Sequence, residues 1–335
     1  MAILVTGGAG FIGSHTCVEL LAAGHDIIIL DNYSNASPEV IGKIETLAGK
    51  SVKVYEADLL DADKVAAVFA ENDIDAVIHF AGLKAVGVSV TVPLQYYHNN
   101  ITGTLILLEA MAKAGCKRLV FSSSATVYGT NPNMPLKETY PTMAATNPYG
   151  STKLMIETIL RDLYIADDQW SIALLRYFNP VGAHPSGLLG EVPNGVPTNL
   201  MPIIAQVAVG KLPILNVTGH DYDTHDGTGV RDYLHVMDLA AGHKNAYDYV
   251  LGRTGVEAIN LGTGKGYSVL DIVTTFEAVN DVTIPRQFAP RRPGDLVVSY
   301  ADPTKAKELL GWEATRDLAS MCKDSWHFMQ VQGAQ

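Results

Sequence analysis

The chain opens with a run that leaves little freedom of fold. Ile3, Leu4, Val5 and Thr6 read as a strand, Gly7, Gly10 and Gly13 follow at once, and a helical pattern begins at Ile12. Glycine at position 7 permits a tight turn. At position 10 it lets backbone approach a phosphate, and at position 13 it lets helix pack closely on strand. The start of such a helix offers unpaired N–H groups and a partial positive charge to an anion. A glycine triplet alone is weak, because turns use glycine for its backbone freedom. Here it has a partner. Asp31 ends the next strand-like run, 18 residues past Gly13. Its carboxylate can accept from both ribose hydroxyls of an adenosine. It would repel a 2′-phosphate, and Asn32–Ser37 holds no arginine to compensate. The pair points to a dinucleotide site that favours NAD over NADP.

The first half of the chain repeats this opening. Strand candidates are Ile3–Thr6, Asp26–Leu30, Val52–Glu56, Ala76–Phe80, Leu119–Ser123 and Ile172–Arg176. They are nearly continuous in Val, Ile and Leu, as strands buried on both faces of a parallel sheet must be. Helical patterns lie between them at Ile12–Ala23, Asp61–Glu71, Pro93–Ala114 and Asn147–Ala166. The alternation predicts an α/β fold, a doubly wound, mostly parallel sheet of the Rossmann kind. After Tyr177 the pattern changes. The stretch from Asn179 to Pro202 is rich in Pro and Gly, and a long structureless segment inside a domain is usually functional. Shorter elements follow: helices near Leu200–Val209, Val236–Tyr249 and Ser268–Val279, and strands near Ile214–Val217 and Ala258–Leu261. We expect residues 1–178 to form the dinucleotide-binding domain. Residues 179–335 then form a smaller mixed α/β substrate lobe, with some segments returning to the first domain.

Composition excludes several classes of protein. Of 335 residues, 47% are hydrophobic and 18% charged, which rules out a disordered chain. No apolar run approaches the roughly 18 residues of a membrane helix. The net charge is −11 and no Lys/Arg cluster stands out, so neither nucleic acid nor a membrane surface is an expected partner. Cys17, Cys116 and Cys322 are far apart and show no metal or redox spacing. The histidines, His220 and His225 among them, show no ligand spacing beside carboxylates, so no metal is expected. The N-terminus enters a strand-like run without a leader pattern, and the expected home is a reducing cytoplasm.

Catalytic chemistry concentrates around a second motif. Tyr149 and Lys153 lie four apart at the start of a helical pattern and share one face. Spacing alone decides nothing, but the pair follows the fifth strand, whose end carries Ser122, Ser123 and Ser124. A free tyrosine has a pKa of about 10 and is a poor base at neutral pH. A nearby ammonium and a positively charged nicotinamide would favour its phenolate. A serine hydroxyl can share the substrate proton. Asp58 and Leu59 follow the third strand and can reach an adenine, although Asp58 reads equally as part of the cap of the next helix. Phe80, Ala81 and Gly82 end the fourth strand, where ligands bind in such sheets.

Longer motifs carry a family resemblance. Gly82–Gly87 reads GLKAVG, Ser122–Gly129 reads SSSATVYG, and Leu174–Pro185 reads LLRYFNPVGAHP. Asp226–Tyr233 reads DGTGVRDY and Ala289–Asp295 reads APRRPGD. From Met1 to about Trp326 the chain resembles the extended short-chain dehydrogenase/reductases and, among them, the UDP-glucose 4-epimerase family. That resemblance implies reversible 4-epimerisation of UDP-glucose and UDP-galactose with tightly bound NAD. Tyr149 would take the O4 proton while hydride leaves C4. A transient 4-keto sugar would turn about its diphosphate and regain the hydride on its other face. The family's cofactor contacts fall on Phe11, Ile12, Asp31, Asn32, Tyr33, Ser34, Asn35, Ala36, Asp58, Leu59, Phe80, Ala81, Gly82, Leu83, Lys84, Asn99, Ser122, Ser124, Tyr149, Lys153 and Phe178. Its UDP-sugar contacts fall on Lys84, Ser124, Tyr149, Asn179, Asn199, Leu200, Asn216, Val217, Thr218, Arg231, Tyr233, Arg292, Asp295 and Ser299. Arg231 and Arg292 suit a diphosphate as cations.

The departures are informative. Dehydratases of this fold carry an Asp-Glu pair where this chain has Ala125 and Thr126, neither of which can do that acid–base work. Some relatives carry a bulky tyrosine where Ser299 stands. A small residue there resembles variants that also interconvert UDP-GlcNAc and UDP-GalNAc. Thr218 stands where relatives often place an aromatic near the uracil. Two alternatives stay open: another nucleotide-sugar epimerase or reductase of this family, and a non-catalytic NAD-binding sensor. The family pairs the helices corresponding to Pro93–Ala114 and Asn147–Ala166 across a homodimer, so a homodimer is expected.

Overall fold

Strands that are apolar along their whole length have to be covered on both faces, and this requirement organises the molecule. The computed structural model describes residues 1–333 except 144, 193, 194, 196 and 293. In chain order the first half comprises β1 (Ala2–Thr6), α1 (Phe11–Ala22), β2 (Ile27–Asp31), α2 (Glu39–Ala48), β3 (Lys53–Glu56), α3 (Ala62–Glu71), β4 (Ile74–His79), α4 (Val86–Thr91), α5 (Pro93–Tyr97), α6 (Gly103–Ala114), β5 (Arg118–Ser124), α7 (Pro148–Ala166) and β6 (Ser171–Tyr177). The second half comprises β7 (Asn179–Val181), α8 (Leu200–Ala208), β8 (Leu215–Thr218), β9 (Val230–Arg231), β10 (Tyr233–His235), α9 (Val236–Leu251), β11 (Gly255–Leu261), β12 (Tyr267–Ser268), α10 (Val269–Asn280), β13 (Arg286–Ala289), β14 (Val298–Ser299), α11 (Thr304–Leu310) and α12 (Leu318–Gly333).

Seven strands form one parallel sheet in the order β11-β6-β5-β4-β1-β2-β3. Every residue of β2 and of β6 is buried, the pattern of strands covered on both faces. One face packs on α1 and α9 through Ile3, Ile29, Leu20 and Leu239. The other packs on α3, α6 and α7 through Leu4, Val68, Leu107 and Leu160. Each such side chain taken fully out of water contributes about 1.5–3 kcal/mol. The strand order reverses between β1 and β4, and the crevice at their carboxyl ends is where such sheets hold ligands.

The outermost strand, β11, is contributed by the second half of the chain, and α9 from the same half covers α1. Helix α11 packs on β11 and α9, and most of the remaining elements make a smaller lobe. There β8 pairs with β13, β9 lies between β12 and β14, and α8, α10 and α12 close over Ile204, Phe276 and Met321.

Several sequence expectations are corrected. The helix expected over Pro93–Ala114 is broken by a π-helical turn at His98–Thr102. The stretch from Asn179 to Pro202 is not structureless throughout. Its first residues form β7 beside β10, and Ala183 bridges Gly190. Val86–Thr91 is a helix despite its β-branched content. Ser89 donates from its amide to Ala85 O at 2.9 Å and from its hydroxyl to Val86 O at 2.6 Å, which closes the turn. The helix after β3 is capped by Asp61, whose carboxylate accepts from Lys64 N at 3.1 Å, and not by Asp58.

Candidate active site

The glycine turn exists only because it lacks side chains. Gly7 has φ +70°, and a Cβ there would lie 2.7 Å from Ala81 N. A Cβ on Gly13 would lie 2.2 Å from Gly7 O. Gly10 caps α1, so Phe11 and Ile12 occupy the first helical turn, where amides have no partner within the helix. This bare cradle at a helix start fits a pyrophosphate.

Asp31 ends β2 beside it, nearly buried. Its carboxylate accepts from Ala9 N at 2.9 Å and from Tyr33 N at 2.9 Å, so it is tied to the glycine turn itself. Burial pushes its carboxyl up, and those two amides work against the shift. Asn32, Ser34 and Asn35 are exposed around it, with Tyr33 and Ala36 half-buried. Asp58 joins this group, because Asn32 Nδ2 donates to its Oδ2 at 2.7 Å. Leu59 points inward, into the core beneath α6.

A chain of contacts leads from the glycine turn to the catalytic candidates. Phe80, Ala81 and Gly82 follow β4, and Leu83 N donates to Asn100 Oδ1 at 2.8 Å. Asn100 Nδ2 donates to Leu83 O at 3.0 Å and to Thr152 Oγ1 of α7 at 3.1 Å. Asn99, half-buried, also donates its Nδ2 to Asn100 Oδ1, at 2.9 Å. Sequence reasoning singled out Asn99 and missed Asn100. The π turn that holds Asn100 is itself a common mark of a functional site, but it leaves no trace in a helical periodicity.

Tyr149 and Lys153 project from α7 toward the end of β5, as their four-residue spacing requires. Asn147 caps the helix, its Oδ1 accepting from Gly150 N at 2.9 Å. Lys153 is 5% exposed, and its Nζ lies 5.9 Å from the centre of the Tyr149 ring. It donates to Ser122 O at 2.6 Å. Burial brings the Lys153 ammonium down to about 8. Burial likewise pushes the Tyr149 phenol up to about 12, and its hydrogen bond with Ser124 opposes that shift. Ser124 is fixed in turn: its Oγ accepts from Thr126 N at 3.2 Å and from Thr126 Oγ1 at 3.0 Å. The Ser122 hydroxyl pairs with the Tyr177 hydroxyl. Phe178 is buried against Val127 and Tyr128 behind the site.

The second lobe brings its own cluster. Asp295 bridges two cations: Arg231 Nη2 lies 3.3 Å from its Oδ1 and Arg292 Nε lies 3.2 Å from its Oδ2. Ser299 pairs with Arg231 across β14 and β9, and Tyr233 pairs with Asn179 across β10 and β7. Burial pushes the Tyr233 phenol up to about 12, opposed by the nearby Arg231 and Arg292. Asp232, between Arg231 and Tyr233, is fully buried. It accepts from Thr263 N at 2.9 Å, Gly264 N at 3.0 Å and Ala301 N at 3.1 Å, which holds three loops together. Asn216 and Thr218 lie on β8, where Thr218 faces Ala289 of β13 at the start of the loop to Arg292. Between them the Val217 side chain is buried in the lobe core with Leu215 and Phe276, so its backbone is the part open to a ligand. Leu200 begins α8, partly buried against the same core.

Lys84 and Asn199 are brought together by a residue that sequence reasoning missed. Glu191 Oε1 accepts from Lys84 Nζ at 3.1 Å and from Asn199 Nδ2 at 2.8 Å. It links the β4 loop to the start of the second lobe.

His225 lies 3.6 Å from Asp226 and 3.3 Å from Asp271. These carboxylates are already engaged. Asp226 accepts from Thr228, and Asp271 closes a capping box with Ser268 at the start of α10.

The fold and this site define an extended short-chain dehydrogenase/reductase. A family model described as GDP-mannose 4,6 dehydratase matches residues 4–325. The UDP-glucose 4-epimerase of Bacillus subtilis is 64% identical over 328 residues, covering 98% of this chain and 96% of that protein. The UDP-glucose 4-epimerase of Bifidobacterium longum, solved in complex with NAD+ and UDP, is 53% identical. It superposes with a TM-score of 0.97, covering 99% of each chain. The UDP-Glc/GlcNAc 4-epimerase of Campylobacter jejuni is 37% identical with a TM-score of 0.85, covering 98% of this chain and 99% of that one. The chain belongs to the UDP-glucose 4-epimerase family.

Proposed function

We propose that this protein interconverts UDP-glucose and UDP-galactose with tightly bound NAD. The observation that supports this most directly is the convergence of Ser124, Tyr149 and Lys153 at the end of β5. The contacts of Asn100 tie α7, at Thr152 beside Lys153, to Leu83 in the loop after β4.

Asp31 takes the ribose hydroxyls of the adenosine, and the turn from Gly7 to Gly13 takes the pyrophosphate. Bound NAD supplies the acceptor and donor for the C4 hydride and a positive ring that favours the Tyr149 phenolate. Tyr149 removes the proton from the sugar O4, and Ser124 shares it. The Lys153 ammonium stabilises the phenolate that begins the cycle. Arg231 and Arg292, held ready by Asp295, anchor the diphosphate. With the nucleotide fixed, a transient 4-keto sugar turns about the diphosphate and presents its other face. Tyr149 then returns its proton to O4. Binding energy from the non-reacting UDP thus supports the turn at the reacting sugar.

Ser299 sits beside Arg231 and carries only a hydroxymethyl group. We infer that the sugar pocket also admits an N-acetyl group, so that UDP-GlcNAc and UDP-GalNAc interconvert. The likeness to the Campylobacter jejuni enzyme supports this reading. Ala125 and Thr126 give the site no acid–base pair for dehydration. Exposed Leu94, Leu105 and Met155 fit the homodimer expected of this family. Among the described residues no helix is long and apolar enough to cross a membrane, and the three cysteines are free, which fits a reducing cytoplasm.

The test is an assay on UDP-galactose and UDP-GalNAc without added NAD. UDP-glucose and UDP-GlcNAc should both form, with no net NADH. Failure on UDP-galactose overturns the epimerase reading. Failure on UDP-GalNAc alone overturns the inference from Ser299.

A further inference from the structure

Tyr149, Lys153 and Glu157 follow one another at intervals of four along α7, so all three face the sheet. The reaction uses the first two and leaves Glu157 without a role. Glu157 is 2% exposed, as is Arg176 of β6. They meet in a two-pronged ion pair: Arg176 Nε donates to Oε1 at 2.9 Å and Nη2 to Oε2 at 2.5 Å. The Ser123 hydroxyl donates to the same Oε1 at 2.6 Å. Arg176 Nη1 donates to the Tyr128 hydroxyl at 3.1 Å, which donates to Asn260 Oδ1 at 2.6 Å. Asn260 Nδ2 ends the chain on Leu136 O at 2.9 Å.

This network lies directly behind the catalytic groups. Ser123 stands between Ser122, whose carbonyl accepts the Lys153 hydrogen bond, and Ser124, which meets Tyr149. Tyr128 belongs to the 3-10 turn that follows Ser124. On either side of Glu157 the contact of α7 with the sheet is apolar, with Ile156 and Leu160 among Leu119, Phe121, Ile172 and Leu174. Apolar packing is non-directional and tolerates a small slide or roll of the helix. A two-pronged charged pair does not. Such a pair is also weak as a source of net stability, since well-packed apolar residues of similar volume often replace it without loss. What it contributes is one register.

We propose that Glu157 and Arg176 are positioning residues that fix the axial register and roll of α7. They thereby set Tyr149 against Ser124 and Lys153 against the Ser122 carbonyl. The proposal rests on the reading of Tyr149 as the base.

The test replaces both residues together, Glu157→Met with Arg176→Met, so that no charge is left buried alone. The variant should fold, carry a full load of NAD and keep its KM for UDP-galactose. Its kcat per NAD-loaded chain should fall on the order of thirty-fold, since misplacement of this size in a site is costly. A kcat within about twofold of the parent, or a raised KM with intact kcat, overturns the proposal. Should that variant not fold, Tyr128→Phe with Ser123→Ala loosens the same network without stranding a charge. Its kcat should then fall about fivefold at constant KM, and an unchanged kcat overturns the proposal. Tyr149→Phe is assayed beside them: full activity there overturns the assignment of the base, a result separable from the question of register.

Discussion

The buried ammonium of Lys153 donates a 2.6 Å hydrogen bond to the main-chain carbonyl of Ser122. That bond fixes a cation near the Tyr149 ring in a place where burial opposes its charge. Lys153→Met should remove the cation and keep most of the packing. The kcat should fall about 100-fold or more, in the range of acid–base contributions. The remaining rate should rise with pH. Burial pushes the Tyr149 phenol up to about 12, and without the ammonium it must lose its proton to act as a base. A pH–rate profile of the variant that is flat from 7 to 9 would contradict this role.

Gly13→Ala places a Cβ where only 2.2 Å separates it from Gly7 O. The glycine turn must shift, at a cost of about 1–3 kcal/mol. The purified variant should melt lower and carry little NAD, read from its absorbance after denaturation. Normal NAD content would place the cofactor elsewhere.

Arg231→Met removes one of the two guanidiniums that Asp295 gathers. A charged hydrogen bond contributes about 1.5–3 kcal/mol, so KM for both UDP-sugars should rise tenfold or more. Inhibition by UDP alone should weaken in parallel, while NAD content stays intact. A kcat effect without a KM effect would place Arg231 away from the diphosphate.

Acid stability follows from three buried histidines. Burial brings His15 and His243 down to about 4 and His79 down to about 3. Unfolded, each titrates near 6.5. Between those values the unfolded chain binds more protons, so their contribution is fully present above about pH 6.5 and is lost as pH falls toward 4. Each adds about 1.4 kcal/mol per pH unit to the slope. His243→Phe removes one such group, and its Nε2 has no partner to lose. The slope of urea-unfolding free energy from pH 6 to 4.5 should drop by that amount. An unchanged slope would show that His243 titrates normally in the fold.

The parallel sheet and the glycine turn were legible because burial on both faces forces unbroken apolar runs, and a pyrophosphate site forces small residues. Tyr149 and Lys153 were legible from spacing and from their place after β5. Asn100 was not, because a π turn differs from an α-helix by one residue and its sequence pattern stays helical. Glu191 was hidden in the Pro- and Gly-rich stretch, where no periodicity assigns a direction to a side chain. Helix α2 escaped notice since it buries only Ile44 fully and carries Gly42 within it. The two-residue strands β9, β12 and β14 are too short for alternation to register.

Strand β11 pairs along the whole of β6, yet the chain between them builds β7, α8, β8, β9, β10 and α9. During synthesis, β6 therefore leaves the ribosome well before its neighbour does. Until Gly255–Leu261 arrives, Ile172, Leu174 and Ala173 sit on an open sheet edge with unpaired amides, the arrangement that recruits other chains. A fragment cut at residue 178 would keep that exposed edge permanently. The cofactor half thus depends on residues that follow it, and a fragment must reach Leu261 before its sheet is closed.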